Sequence, residues 1–190
     1  HTSWFYNHKF YVDENVLIPR QETEILVDSI VKENSGHKIK ILDIGTGSGC
    51  IPISLKLALP LSEVYAIDIS QKALCVAKRN ATNHNVDIDF NEFDILSDKN
   101  LPIVEKLDII ISNPPYVTES EKTLMHKNVI DFEPDIALFV KDDNPFVFYE
   151  SIIIRASEML KKSGVLWLEI NEKFPEEISN MCKKHGFNSI

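Results

Sequence analysis

The stretch that decides the fold is "ILDIGTGSGC" (41–50). Its first half is a β-branched, apolar run broken by one acid, Asp43; its second half places Gly45, Gly47 and Gly49 where a helical apolar pattern begins. A strand, a tight glycine turn and a helix entered at once form the opening unit of an open α/β sheet, and glycines there let a ligand come close to the backbone. Working outward, strand-length runs occur at "IKILDI" (39–44), "EVYAID" (63–68), "IDFNEF" (88–93), "LDIIIS" (107–112) and "VLWLEI" (165–170). Apolar residues at helical spacing predict helices over 22–32, 49–59, 71–83, 146–160 and 175–184. This alternation predicts an α/β fold, a mostly parallel twisted sheet with helices on both faces. Ser70 is placed to cap the helix at 71–83, and "KKSG" (161–164) to close the helix before the last strand.

With 190 residues, 44% of them hydrophobic and 26% charged, the chain has the size and composition of one soluble domain spanning 1–190. It begins at His1 and stops at "GFNSI" as a new apolar segment starts, so it reads as a piece of a longer protein. Twenty basic against 29 acidic residues give a net charge of −9, which argues against direct nucleic-acid binding by this piece. Cys50, Cys75 and Cys182 are far apart and form no C-x-x-C pair, so neither a disulfide framework nor a metal site is expected, and a reducing cytoplasm fits best. No apolar run approaches the roughly 18 residues of a membrane span. The six histidines lack ligand spacing, and neither Ser48 nor Ser54 has a His/Asp arrangement for nucleophilic catalysis. The long irregular stretch at 114–144 is of the kind that more often carries function than fills space.

Asp68 ends the second strand 19 residues after Gly49, where a carboxylate can accept hydrogen bonds from a ribose diol. The loop, Gly45-Thr46-Gly47-Ser48-Gly49, is G-x-G-x-G rather than the G-x-G-x-x-G of dinucleotide sites, and Asp43 just before it would repel a pyrophosphate. An acid suits a cationic adenosine ligand, so the expected cofactor is S-adenosyl-L-methionine, leaving as S-adenosyl-L-homocysteine. Asp94, after the third strand, is placed to accept from an adenine amino group, with Ile95 packing on the ring. The plainer alternative is a tight turn flanked by solvated acids. Three ligand-type positions at the carboxyl ends of three successive strands favour the cofactor.

The fourth strand stops at "NPPY" (113–116). The Asn113 carboxamide oxygen and the Pro114 carbonyl are acceptors, and Pro114 and Pro115 hold them without competing donors. Two fixed acceptors can grip both hydrogens of an NH2 group, favouring the pyramidal nitrogen of a methyl-transfer transition state, while Tyr116 covers its flat face. Asn113, Pro114 and Tyr116 are therefore the candidate catalytic residues, with Pro115 completing the substrate site. Taken alone, the tetrapeptide could equally be a rigid turn.

"ILDIGTGSGCI" with "NPPY" resembles the class I S-adenosylmethionine-dependent methyltransferases, which have a Rossmann-like fold. "FYNHKFYVDENVLIPRQETEILVD" (5–28), "EPDIAL" (133–138), "FYE" (148–150) and "GVLWLEI" (164–170) are similar to the release-factor glutamine methyltransferases, the HemK-like family. That resemblance implies methylation of the glutamine side-chain amide in the Gly-Gly-Gln motif of peptide-chain release factors. It assigns cofactor contacts to Gly45 through Gly49, Asp68, Ile95 and Asn113, and folds the segment around Arg20, Glu22 and Thr23 over the methionyl end. It further implies that an N-terminal helical domain and final strands lie outside this chain. Gln21, Ile95 and Val140-Lys141 depart from the family's proline, aromatic and double glycine. The rivals are an adenine-amino DNA methyltransferase, a ribosomal-protein glutamine methyltransferase, and a non-catalytic cofactor-binding module.

Overall fold

The computed structural model describes residues 1–103, 106–124 and 132–188. In chain order the elements are β1 (Thr2–Phe5), β2 (His8–Tyr11), α1 (Gln21–Asn34), β3 (Lys40–Ile44), α2 (Cys50–Ala58), β4 (Glu63–Asp68), α3 (Gln71–Asn83) and β5 (Asp89–Glu92). They continue with β6 (Leu107–Ser112), β7 (Val117–Thr118), β8 (Phe139–Val140), α4 (Val147–Met159), β9 (Leu160–Leu168) and α5 (Pro175–Lys184). Two 3₁₀ turns, Glu119–Leu124 and Asp135–Ala137, lie between β7 and β8.

Five strands form one sheet in the order β5-β4-β3-β6-β9, every pair parallel. Strand order reverses between β3 and β6, and open α/β sheets bind ligands at the carboxyl side of such a switch point. Alternation within these strands sorts the core into two layers. Ile41, Ile109 and Ile111 pack with Val27 and Ile30 of α1 and Ile51 and Ile53 of α2. Leu42, Ile44 and Ile110 pack with Ile152 and Ala156 of α4 on the other face. Both faces are covered, which is why these strands are apolar nearly throughout.

Helices α3 and α5 have the boundaries that spacing predicts, and Ser70 caps α3 by accepting from the Ala73 N–H at 3.2 Å. The last strand differs. It begins at Leu160, directly after α4, so Lys161 to Gly164 lie within β9 instead of closing a helix. Leu160 turns extended and buries its side chain opposite Leu107, and the register then slips so that Val165 faces Ile109. Gly164 is needed for space in that bulge: a Cβ there would stand 2.9 Å from Leu160 Cδ2 and 3.1 Å from the Leu107 carbonyl.

Spacing also gave no sign of the β1–β2 hairpin. Its turn residues Tyr6 and Asn7 both have positive φ, the backbone of a two-residue hairpin loop with the twist of its strands. Phe5 and Phe10 insert from the hairpin into the α1–α2 layer. Buried Asn80 of α3 fastens it: its Oδ1 accepts from the Tyr11 N–H at 2.8 Å, and its Nδ2 donates to the Tyr11 and Ser48 carbonyls, each at 2.9 Å. The chain after the hairpin thus starts from a point fixed to the glycine loop, and it crosses the carboxyl edge of the sheet through Asn15, Val16 and Leu17.

Candidate active site

The glycine loop is held from beneath by strand β4. The N–H groups of Gly45 and Thr46 both donate to the Ile67 carbonyl (2.9 and 3.0 Å), Gly47 N–H donates to Asp68 Oδ2 at 2.8 Å, and Gly49 N–H donates to the Thr46 carbonyl at 2.8 Å. Four amides that a phosphate would need are committed to protein acceptors. Gly49 sits at φ 78° with Ala77 Cβ and Ile53 Cδ1 each 3.1 Å from where its own Cβ would be, so only glycine fits where α2 meets α3. Among the described residues, nothing lies within 4 Å of a Cβ built on Gly45 or Gly47, which face open space.

Asp43, between Leu42 and Ile44, is fully buried, and neither of its carboxylate oxygens has a hydrogen-bond partner among the described residues. The buried hydroxyls of Thr46 and Ser48 are also unpartnered there. Burial pushes the Asp43 carboxyl up to about 7, the nearby Thr46 hydroxyl pulls it back, and the charge of Asp68 adds to the rise. A buried acid of this kind is neutral below pH 7 and is stabilised in its charged form by a cation. Burial likewise raises the Asp68 carboxyl, against the lowering effect of the Ser70 and Gly47 N–H groups. Cys50, beside the loop, is buried and its thiol is pushed up to about 12 by that burial, the state of an inert core residue.

One cavity of about 280 Å³ opens on this edge. Its walls include Gly45 and Gly47 from the loop, Asp68 at the end of β4, Asp94 and Ile95 after β5, and Asn113, Pro114 and Pro115 after β6. The two motifs read from sequence therefore share one crevice. Asp94 Oδ1 accepts from the Leu96 N–H at 2.9 Å, so one oxygen shapes the turn. Ile95 is buried, and its carbonyl accepts from Ser151 Oγ (2.6 Å) and Arg155 Nε (3.1 Å) of α4. Thr46, Ser48, Gly49 and Tyr116 do not line the cavity. The first three form its foundation. Tyr116 turns away, its hydroxyl donating to Glu169 Oε1 at 3.1 Å and its ring packing near Tyr149 and Ile153, so it does not cover a face of the cavity. Burial and then the charge of Glu169 raise its pKa, which keeps the hydroxyl a donor.

Asn113 is held by residues far away in sequence. Its Nδ2 donates to Thr23 Oγ1 at 3.2 Å, and Thr23 Oγ1 donates to Glu169 Oε2 at 2.6 Å. Asn171 Nδ2 donates to the Tyr116 carbonyl at 3.2 Å, and the Glu169 N–H donates to the Ser112 carbonyl at 3.0 Å. Ser112 Oγ donates to the Ile44 carbonyl at 2.7 Å, joining β3 to β6 at the switch point. Farther out, Arg20 Nη2 contacts both oxygens of the buried Glu133 carboxylate at 2.7 and 2.9 Å, and the Ile18 N–H donates to the same group at 3.2 Å. The segment bearing Arg20 and Thr23 is thereby tied to both sides of "NPPY". Gln21 takes the first position of α1, where proline is favoured because that N–H has no partner to lose, so the exchange keeps the helix start. Glu169, Asn171 and Asn80 are not legible as site residues, because the partners that place them at the site, Thr23, Tyr116 and Ser48, are 146, 55 and 32 positions away.

The open parallel α/β sheet with a crevice at its switch point is a fold shared with solved methyltransferase structures. The profile of the methyltransferase small domain matches residues 20–132, and the chain belongs to that family. It is 48% identical over 189 residues to a release factor glutamine methyltransferase of Flavobacterium psychrophilum, covering 97% of this chain and 66% of that protein. It is 44% identical over 186 residues to one of Bacteroides thetaiotaomicron, covering 98% of this chain and again 66% of the relative. This chain thus spans just under two thirds of their length. Among solved structures, a methyltransferase from Pyrococcus furiosus superposes with a TM-score of 0.66 at 17% identity, over 93% of this chain and 77% of its own, a likeness of fold.

Proposed function

We propose that the full-length protein methylates the side-chain amide of the glutamine in the Gly-Gly-Gln motif of a peptide-chain release factor, using S-adenosyl-L-methionine. The observation that carries this is the position of Asn113: its amide nitrogen donates to Thr23, and Oδ1, on a residue lining the cavity, has no partner among the described residues. That relatives at 48% and 44% identity are release factor glutamine methyltransferases supports this substrate. The open space over Gly45 and Gly47 and the unpartnered carboxylate of Asp43 suit a ligand that bears positive charge. Gly45, Gly47, Asp68, Asp94 and Ile95 would hold that cofactor, Asp68 on its ribose and Asp94 with Ile95 on its adenine. When bound, it supplies a methyl group made electrophilic by a positively charged sulfur.

The chain's own contribution is positioning. Asn113 Oδ1 and the Pro114 carbonyl accept the two amide hydrogens of the substrate glutamine and turn its nitrogen lone pair out of conjugation. Pro115 fixes the loop, and Tyr116 braces it through Glu169 rather than by covering the amide. Holding the nitrogen in line can contribute roughly 7–11 kcal/mol without a strong base. The test is methyl transfer from labelled S-adenosyl-L-methionine by the full-length protein to a purified release factor, and to the same factor with its motif glutamine changed to alanine. Label on the first alone is expected. Label on both would remove the glutamine assignment, and label on neither, with a ribosomal protein or adenine DNA labelled instead, would assign the grip to another substrate.

A further inference from the structure

Glu169 is linked to both side chains that flank the proline pair, to Tyr116 directly and to Asn113 through Thr23. One oxygen accepts from Thr23 and the other from Tyr116, at 2.6 and 3.1 Å. A carboxylate only accepts, so the single proton of the Thr23 hydroxyl must point to Glu169. Thr23 can then offer only a lone pair to Asn113, 3.2 Å away. The group of Asn113 facing Thr23 must be the NH2, and the oxygen is the end left over. A carboxamide has no intrinsic preference between two such flips, and here an acceptor two bonds upstream removes the choice. The Glu169 backbone is fixed in turn, since its N–H donates to the Ser112 carbonyl and its carbonyl accepts from the Tyr149 hydroxyl at 3.4 Å.

We propose that Glu169 is a positioning residue that sets the polarity of Asn113 through Thr23, so that Asn113 Oδ1, not Nδ2, meets the reacting NH2 group. This rests on the amide-methylation reading for its consequence in turnover, though not for the hydrogen-bond order itself. A reversed carboxamide would present a donor to a donor and lose one of the two grips. The dependence is directional: Glu169 sets Thr23, and Thr23 sets Asn113.

In the full-length protein, Glu169→Gln and Thr23→Val should each lower kcat by about 10- to 100-fold, as misplacement of a catalytic group does, with the KM for the release factor within about threefold. Two residues acting in series fail together, so the double variant should be no slower than the slower single one. Thr23→Ser keeps the hydroxyl and should restore most of the turnover. A second readout does not need methyl transfer. The side-chain NH2 signal of Asn113, assigned by its loss in Asn113→Ala, should exchange with solvent more slowly in the wild type than in Glu169→Gln or Thr23→Val. Multiplying losses in the double variant, unchanged kcat in either single one, or unchanged exchange of the NH2 would overturn the relay. If the wild type moves no methyl to the factor, the substrate assignment fails, and the exchange measurement still decides the relay.

Discussion

The two halves of the crevice are built differently. On the cofactor side, the side-chain contacts of the two carboxylates are made between neighbours in sequence or adjacent strands: Gly47 to Asp68 spans 21 positions, and Asp68 to Ser70 and Asp94 to Leu96 span two, while the Ile95 and Ser48 backbone carbonyls are fastened from farther off by Ser151, Arg155 and Asn80. On the "NPPY" side, Asn113 reaches back 90 positions to Thr23, Tyr116 reaches 53 forward to Glu169, and Arg20 reaches 113 to Glu133. The first half is a property of the strand–loop–helix unit and comes with the fold. The second is assembled from four separate segments, so it depends on the tertiary structure being complete.

The largest effect that would break this contrast belongs to Asn113→Ala. Turnover should fall by about 10³-fold or more, as when a pre-aligned transition-state contact is removed, while cofactor affinity stays within about tenfold. Near-normal turnover would mean the loop is only a turn. Asp68→Ala should do the reverse, weakening S-adenosyl-L-methionine about 10- to 100-fold, as loss of charged hydrogen bonds worth roughly 1.5–3 kcal/mol implies, with little change in kcat at saturation. Unchanged affinity in a titration would remove the ribose assignment. Arg20→Ala tests the outer tie: leaving the Glu133 carboxylate buried with one N–H partner should cost about 1–3 kcal/mol, and thermal melting should fall by several degrees.

The smallest effect concerns pH. Asp43 has its pKa raised to about 7, so in the free protein it is protonated below that value and charged above it. A cationic ligand favours the charged form, so affinity should weaken as pH falls from 8 to 6, by at most about tenfold. Asp43→Asn should flatten that profile. A wild-type profile already flat over this range would separate the buried acid from ligand binding.

The same contrast explains what the sequence could disclose. Five strands and five helices follow from period and composition, and Gly45, Gly47, Asp68, Asp94, Ile95 and Asn113 follow from motifs that sit at strand ends. Tyr116 was legible as a member of "NPPY" but not in its direction, because that is set by Glu169, just past the end of β9. The β1–β2 hairpin left no sign in the spacing, and its turn places Tyr6 at positive φ where glycine or asparagine would have announced it. The "KKSG" stretch carries helix-ending residues, yet Gly164 answers to the Leu160 side chain and the Leu107 carbonyl across a bulge, a demand that no local pattern encodes.

The most direct test of the central claim is a paired measurement on full-length Asn113→Ala and Asp68→Ala: cofactor affinity by calorimetric titration, and single-turnover methyl transfer to a release factor at saturating cofactor. Two separable halves predict that Asn113→Ala binds the cofactor well and transfers its methyl group at least about 10³-fold more slowly, while Asp68→Ala binds weakly and transfers near the normal rate once filled. Parallel losses of binding and transfer in both variants would contradict it, because the crevice would then be one cooperative unit.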